Sequence, residues 1–199
     1  MYLSDFQYHG IKAIESLDNT AVDSAINVLS ELKSKDGRLF VLGVGGSAAN
    51  ASHAVNDFRK IAGIEAYSPV DNVSELTALI NDEGWDSVFV KWLQESKLNN
   101  RDILLLLSVG GGDREQNLSV NLIHALDYAN QMQAKSIAIV GKSNGYCLQH
   151  CNFPIALSIE NNAFLTPIAE AMQGFVLHAM VSHPKIKSNQ MTWESRIND

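Results

Sequence analysis

The chain has 199 residues, of which 46% are hydrophobic, and its 15 basic and 22 acidic side chains give a formal charge of −7. That length suits one domain with a sizeable core. The acidic balance, without a Lys/Arg cluster, argues against duplex nucleic acid and anionic membrane surfaces as partners, and no apolar run approaches a membrane span.

Leu3, Phe6, Ile11, Ile14 and Leu17 form one amphipathic stripe, and Val22, Ile26, Leu29 and Leu32 form another. Residues 3–35 therefore read as a helical pair broken at 18–20. Such a pair packs outside the sheet or against another subunit. Asp36-Gly37 turns the chain into a strand at 38–42. Three glycines, Gly43, Gly45 and Gly46, and then Ser47 lead into an Ala-rich helix from 47 to 61 that ends near Gly63. Residues 64–67 read as a short second strand ended by Pro69, and 71–80 as a helix. Asn81 to Gly84 break that pattern before a helix from Trp85 to Leu98. After a loop at 99–102, Ile103 to Ser108 is an unbroken apolar run, the pattern of a central parallel strand buried on both faces. A second glycine turn, Val109 to Asp113, precedes a helix carrying Leu118, Leu122, Leu126 and Ala129. Ser136 to Val140 is the fourth strand, and residues 141–145 are its turn. Phe153 to Leu157 is the fifth, placed toward the sheet edge by Pro154. Thr166 as N-cap with Pro167 behind it opens a helix to Ser182, and the tail after Pro184 reads as polar and irregular.

Strands alternating with helices predict an α/β fold with a mainly parallel sheet. One domain covers 1–199: helices over 1–36, an α/β core over 37–183 and a tail over 184–199. Ligands of such sheets bind outside the carboxyl ends of the strands, and both glycine turns fall there. Strand, glycine turn and helix together aim backbone N–H groups at an anion, a phosphate above all. The duller alternative is a tight turn that needs positive φ. The dinucleotide pattern G-x-G-x-x-G fits less well, because Ala48 stands at the third glycine, although Glu65 falls near the second strand's end.

His53 and Asp57 share a helix face at i and i+4. The C-terminal helix adds Glu170, Gln173 and His178 among apolar neighbours. Two histidines and two carboxylates form a zinc-type ligand set, or else a set of mutually paired core groups. Glu170 and His178 lie eight residues apart, roughly 12 Å along one helix. If all four side chains meet, the helices come from different subunits or the chain bends. Asp71, Asn81 and Asp82 suit sugar hydroxyls or turns, and Arg114 and Lys142 follow strand ends where they would neutralise a phosphate. Cys147 and Cys151, separated by three residues and without a second ligand pair, read as ordinary thiols of a reducing cytoplasm. The amino-terminal stretch lacks the basic segment of a signal peptide.

In the order and spacing of these blocks the chain resembles the sugar isomerase (SIS) domain family, and within it the phosphoheptose isomerases, which act on sedoheptulose 7-phosphate. The blocks are the N-terminal helical pair, Gly43 to Ser47, His53 with Asp57, Asn81 to Trp85, Ser108 to Gly112, Gly141-Lys142, and Glu170 through His178. The resemblance implies a three-layer α-β-α sandwich with a five-stranded parallel, flavodoxin-like sheet. It implies a tetramer with active sites between subunits. It implies a phosphate held by Gly45, Gly46, Ser47, Ser108, Gly110, Gly111 and Gly112, with Asp82 and Glu170 on the sugar. It implies ketose–aldose isomerisation through an enediol, with Asp57 shuttling a proton and His178 acting opposite. In some members zinc is bound at the positions of His53, Asp57, Glu170 and His178. The product of such a reaction feeds polysaccharide or nucleotide-sugar synthesis.

The chain departs from that pattern where Asp57 replaces the usual Glu, Glu170 the usual Gln and Val44 the usual Asn. The second turn has lost its hydroxyls and gained Asp113, which repels a phosphate unless it turns outward or meets a cation. These changes leave open a non-catalytic phosphosugar-binding or regulatory protein as the alternative to an isomerase.

Overall fold

The structure is a computed structural model that describes residues 1–196. Five parallel strands, β1 (Arg38–Gly43), β2 (Glu65–Tyr67), β3 (Ile103–Ser108), β4 (Lys135–Val140) and β5 (Phe153–Ala156), form one sheet in the order β2-β1-β3-β4-β5. This is the flavodoxin-like winding, which reverses direction between β1 and β3. The order removes the dinucleotide-binding alternative, whose strands run 3-2-1-4-5-6. Pro154 does lie on an edge strand.

Alternation along each strand builds the two cores. Leu39, Val41, Leu105, Leu107, Ile137 and Ile139 face one layer. It consists of α1 (Tyr2–Glu15), α2 (Asn19–Ser34), α3 (Gly46–Asp57) and α8 (Leu165–Ser182). Phe40, Leu42, Leu104, Leu106, Ala138 and Val140 face the other. That layer consists of α4 (Val73–Glu83), α5 (Val88–Glu95), α6 (Val120–Gln131) and α7 (Tyr146–His150). All six residues of β3 are buried, and its first five, Ile103 to Leu107, are apolar, as a strand covered on both faces requires. Asp102 is buried at the foot of β3 and accepts from Nη2 of Arg38 at 2.7 Å and from the backbone N–H of Asn99 at 3.0 Å. That ion pair ties β1 to β3.

Several boundaries differ from the sequence expectations, each for a local reason. Asn81, Asp82 and Glu83 stay in α4, and the break comes only at Gly84, whose φ is +84°. Trp85 is then exposed, and α5 is shorter than residues 85–98. Leu118 lies outside α6, in a closed turn where the backbones of Asp113 and Leu118 exchange two hydrogen bonds of 2.9 Å. Thr166 is not an N-cap, because a 3₁₀ turn at Asn162–Phe164 runs straight into α8. That helix and the turn before it, 162–182, reach the length and mean hydropathy of a membrane span, but half of the apolar window is buried inside the protein.

The end of α3 passes into a π-turn, Phe58–Ala62, closed by Gly63 at φ +67°. The tail is irregular over residues 184–191, as expected, but Ile186 within it is fully buried and α9 (Thr192–Arg196) is helical. Residues 197–199, the rest of the expected polar tail, lie outside the described residues.

Candidate active site

Asp57 closes α3, and its carboxylate is divided between two duties. Oδ1 accepts from the Asn56 side chain at 3.0 Å. Oδ2 faces Nε2 of His53 at 3.1 Å and Nε2 of His178 at 3.4 Å. The two imidazole nitrogens are 3.3 Å from each other. His53 reaches Asp57 because i and i+4 share a helix face, and His178 reaches both because α8 packs along α3. The carboxylate side chain is 12% exposed, whereas the imidazoles are 59% and 57% exposed. A sheltered acid thus opens onto two accessible bases.

The three groups could hold a metal ion. A tetrahedral ion with bonds of roughly 2.0–2.1 Å separates its ligand atoms by about 3.3 Å, which is the spacing the three side chains already have. Three protein ligands with a fourth position open are the catalytic rather than the structural arrangement.

Glu170, expected as a fourth ligand, does not join them in this chain. It sits eight residues earlier on α8, roughly 12 Å along the axis. Asp57 and His178 are brought together within a single chain.

The Glu170 carboxylate lies instead against Gly46, where any Cβ would collide with it. Gly46 opens α3, and a helix amino terminus, with its free N–H groups and positive dipole end, favours an anion. Glu170 therefore already lies on part of the surface that the sequence reading expects to take a phosphate. Gly45, at φ +64° and exposed, provides the turn before it, and Ser47 is buried behind it.

The second glycine turn is largely structural. Ser108 is buried, and its Oγ accepts from the Gly111 N–H at 2.9 Å. Gly111 and Gly112 are buried at φ +75° and +83°, with Val140 and Ile123 where side chains would go. Their carbonyls accept from the N–H groups of Cys147 at 2.8 Å and Tyr146 at 3.0 Å, tying the turn to α7. Gly110 stays half-buried at the rim. Asp113 turns away into the closed turn, where its Oδ1 accepts from the Gln116 N–H at 3.0 Å. Arg114 is engaged by Asp127 and by the Tyr146 ring. Asp82 is exposed on the last turn of α4, bonded to the Asn81 side chain at 2.8 Å, and is not brought to the trio.

Two features escape the sequence reading. Asn50 lies one turn before His53 and donates to the Glu170 carbonyl at 2.9 Å and to Oε1 of Gln173 at 3.0 Å. The repeat Asn50, His53, Asp57 is a helical spacing of polar residues that was legible in principle. A cavity of about 520 Å³ is also lined by Asp57 and His178 together with Met191, Thr192 and Trp193.

The SIS domain family model matches residues 4–141. The probable phosphoheptose isomerase of Thermoplasma volcanium is 31% identical over 150 residues, 73% of each chain. The phosphoheptose isomerase of Helicobacter pylori is 27% identical over 139 residues, 67% of this chain and 68% of that one. Among solved structures, phosphoheptose isomerase GmhA from Neisseria gonorrhoeae superposes with a TM-score of 0.77 at 24% identity, covering 90% of this chain and 93% of that one. With its five-stranded parallel sheet, its paired glycine turns and these relatives, the chain belongs to the SIS domain family and resembles the phosphoheptose isomerases within it.

Proposed function

We propose that this chain is a cytoplasmic ketose–aldose isomerase that converts sedoheptulose 7-phosphate into an aldoheptose 7-phosphate. The observation that carries the reading is the Asp57 carboxylate held between two accessible imidazoles. That arrangement suits a proton transfer between adjacent carbons.

Asp57 takes a proton from the C–H carbon beside the ketose carbonyl. The electron pair left behind forms the carbon–carbon double bond. The carbonyl oxygen takes a proton from the imidazole of His178, giving the enediol. The imidazole then recovers a proton from the other enediol oxygen, and the Asp57 carboxyl returns its proton to the former carbonyl carbon. No proton or electron is gained or lost overall. Alternatively, His53, Asp57 and His178 would hold zinc, which when bound would polarise the sugar oxygens as a Lewis acid in place of the His178 proton and leave Oδ1 of Asp57 to carry the proton between the carbons.

The same reading favours an assembly of copies. Gly46 and Asp57 are eleven residues apart on one helix, roughly 16 Å. A heptose phosphate spans about 8 Å from phosphorus to carbonyl carbon, at roughly 1.2 Å per bond. One chain therefore cannot hold both ends of the substrate, and a neighbouring copy's glycine turn receives the phosphate once the Glu170 side chain swings off Gly46. Exposed Tyr2, Leu3, Ile11 and Ile14 give α1 an apolar outer face that suits burial in a tetramer.

The second reading, a phosphosugar sensor without turnover, draws on the second glycine turn, where Ser108 Oγ accepts from the Gly111 N–H and Gly111 and Gly112 are buried. Incubation with sedoheptulose 7-phosphate, followed by NMR of the anomeric protons, separates the two. Aldose signals support the isomerase. Saturable binding without product supports the sensor.

A further inference from the structure

The segment after α8 is fastened to the turn that follows Asp57. The π-turn Phe58–Ala62 leaves late carbonyls without helical partners, as any helix end does. The backbone N–H groups of Ser188 and Asn189 both donate to the Ile61 carbonyl, at 2.9 and 3.0 Å. The Asn189 side chain donates to the Lys60 carbonyl at 2.8 Å, and the Ser188 hydroxyl to the Ala62 carbonyl at 3.2 Å. Ile186 is buried without remainder, and Nζ of Lys33 donates to its carbonyl at 2.8 Å. The strap is thus held at several points before it reaches Met191.

Beyond that anchorage α9 has no buried residue. Trp193 is 76% exposed, yet it lines the cavity of about 520 Å³ that Asp57, Lys60, Ile61 and His178 also line. That volume falls within the range of small-molecule pockets. A large aromatic side chain held in water beside a carboxylate and an imidazole contributes nothing to the core.

We propose that Trp193 is a specificity-determining residue, whose indole takes the C–H face of the sugar chain while Asp57 and His178 act at its carbonyl end. An indole offers a broad apolar face at a small cost in side-chain freedom, and that face suits the non-polar side of a polyol. This proposal rests on the sugar-phosphate reading of the same site.

Full-length wild type, Trp193→Ala, Trp193→Phe and Trp85→Phe proteins are compared with sedoheptulose 7-phosphate, by steady-state turnover and by titration of tryptophan emission. The expected result is a KM raised about tenfold in Trp193→Ala with kcat within about twofold, because the contact serves ground and transition states alike. Trp193→Phe recovers most of the affinity. The emission change on binding persists in Trp85→Phe and disappears in Trp193→Phe. A KM and binding constant unchanged in Trp193→Ala overturn the proposal even if turnover is normal. A wild type that binds through Trp193 without turnover keeps the wall and removes the isomerase. A wild type that neither binds nor turns over removes both.

Discussion

Asp57 Oδ2 and His178 Nε2, carried on different helices of one chain, stand 3.4 Å apart, with His53 Nε2 completing a triangle of nearly equal sides. A triangle of this size is the footprint of a small tetrahedral cation. Protein purified without chelator is expected to carry about one zinc per chain, with three protein ligands. His53→Ala and His178→Ala should each lose most of it, whereas Glu170→Ala should retain it. Plasma mass spectrometry of the four proteins checks this, and equal loss in Glu170→Ala would place the metal elsewhere.

Because the glycine turn and the Asp57 cluster are too far apart in one chain, inactive variants should complement one another. Gly46→Ala damages the phosphate end, and Asp57→Asn removes the proton carrier. Co-refolded in equal amounts, the two should recover about a quarter of wild-type sites if each site draws on two copies of a symmetric assembly. Sites built within one chain would recover none.

Gly46 and Glu170 are expected to be coupled. Adding a methyl group at position 46 drives it into the Glu170 carboxylate, so Gly46→Ala should lower the melting temperature. Glu170→Ala in the same chain should restore part of that loss, giving an interaction energy of about 0.5 kcal/mol, the low end for contacting residues, in a double-mutant cycle. Strict additivity, read by urea denaturation, would mean that the carboxylate swings aside freely.

Burial pushes the Cys147 thiol up to about 12 and the Cys151 thiol up to about 11, from an ordinary value of 9.0. The folded protein therefore keeps protons that the unfolded chain releases above about pH 9. The stabilisation is full below that point and declines as pH rises toward the folded values. Between pH 8 and pH 10.5, wild type should lose more stability than Cys147→Ala, as measured by urea denaturation. Parallel slopes would contradict it.

The parts of this molecule that were legible in the sequence are those fixed by local period. Ile103 to Leu107 is buried on both faces, and its unbroken apolar run announces that burial. His53 and Asp57 share a face because a helix repeats every 3.6 residues. What was not legible depends on how α3 and α8 lie against each other. That register sends His178 to Asp57 and leaves Glu170 at Gly46, and no spacing within either helix encodes it. Leu118 fits a helical stripe, yet the mutual hydrogen bonds of Asp113 and Leu118 hold it outside α6. Trp193 had no signal, because its place follows from carbonyls freed by a π-turn.

The most direct measurement is solvent deuterium incorporation into sedoheptulose 7-phosphate, followed by NMR at the carbon beside the carbonyl. Wild type is expected to exchange that proton, and folded Asp57→Asn to slow the exchange by about a hundredfold or more, the usual contribution of a positioned general base. Exchange at the wild-type rate in Asp57→Asn would mean that the proton moves through some other group and that the triangle of Asp57, His53 and His178 is not the catalytic centre.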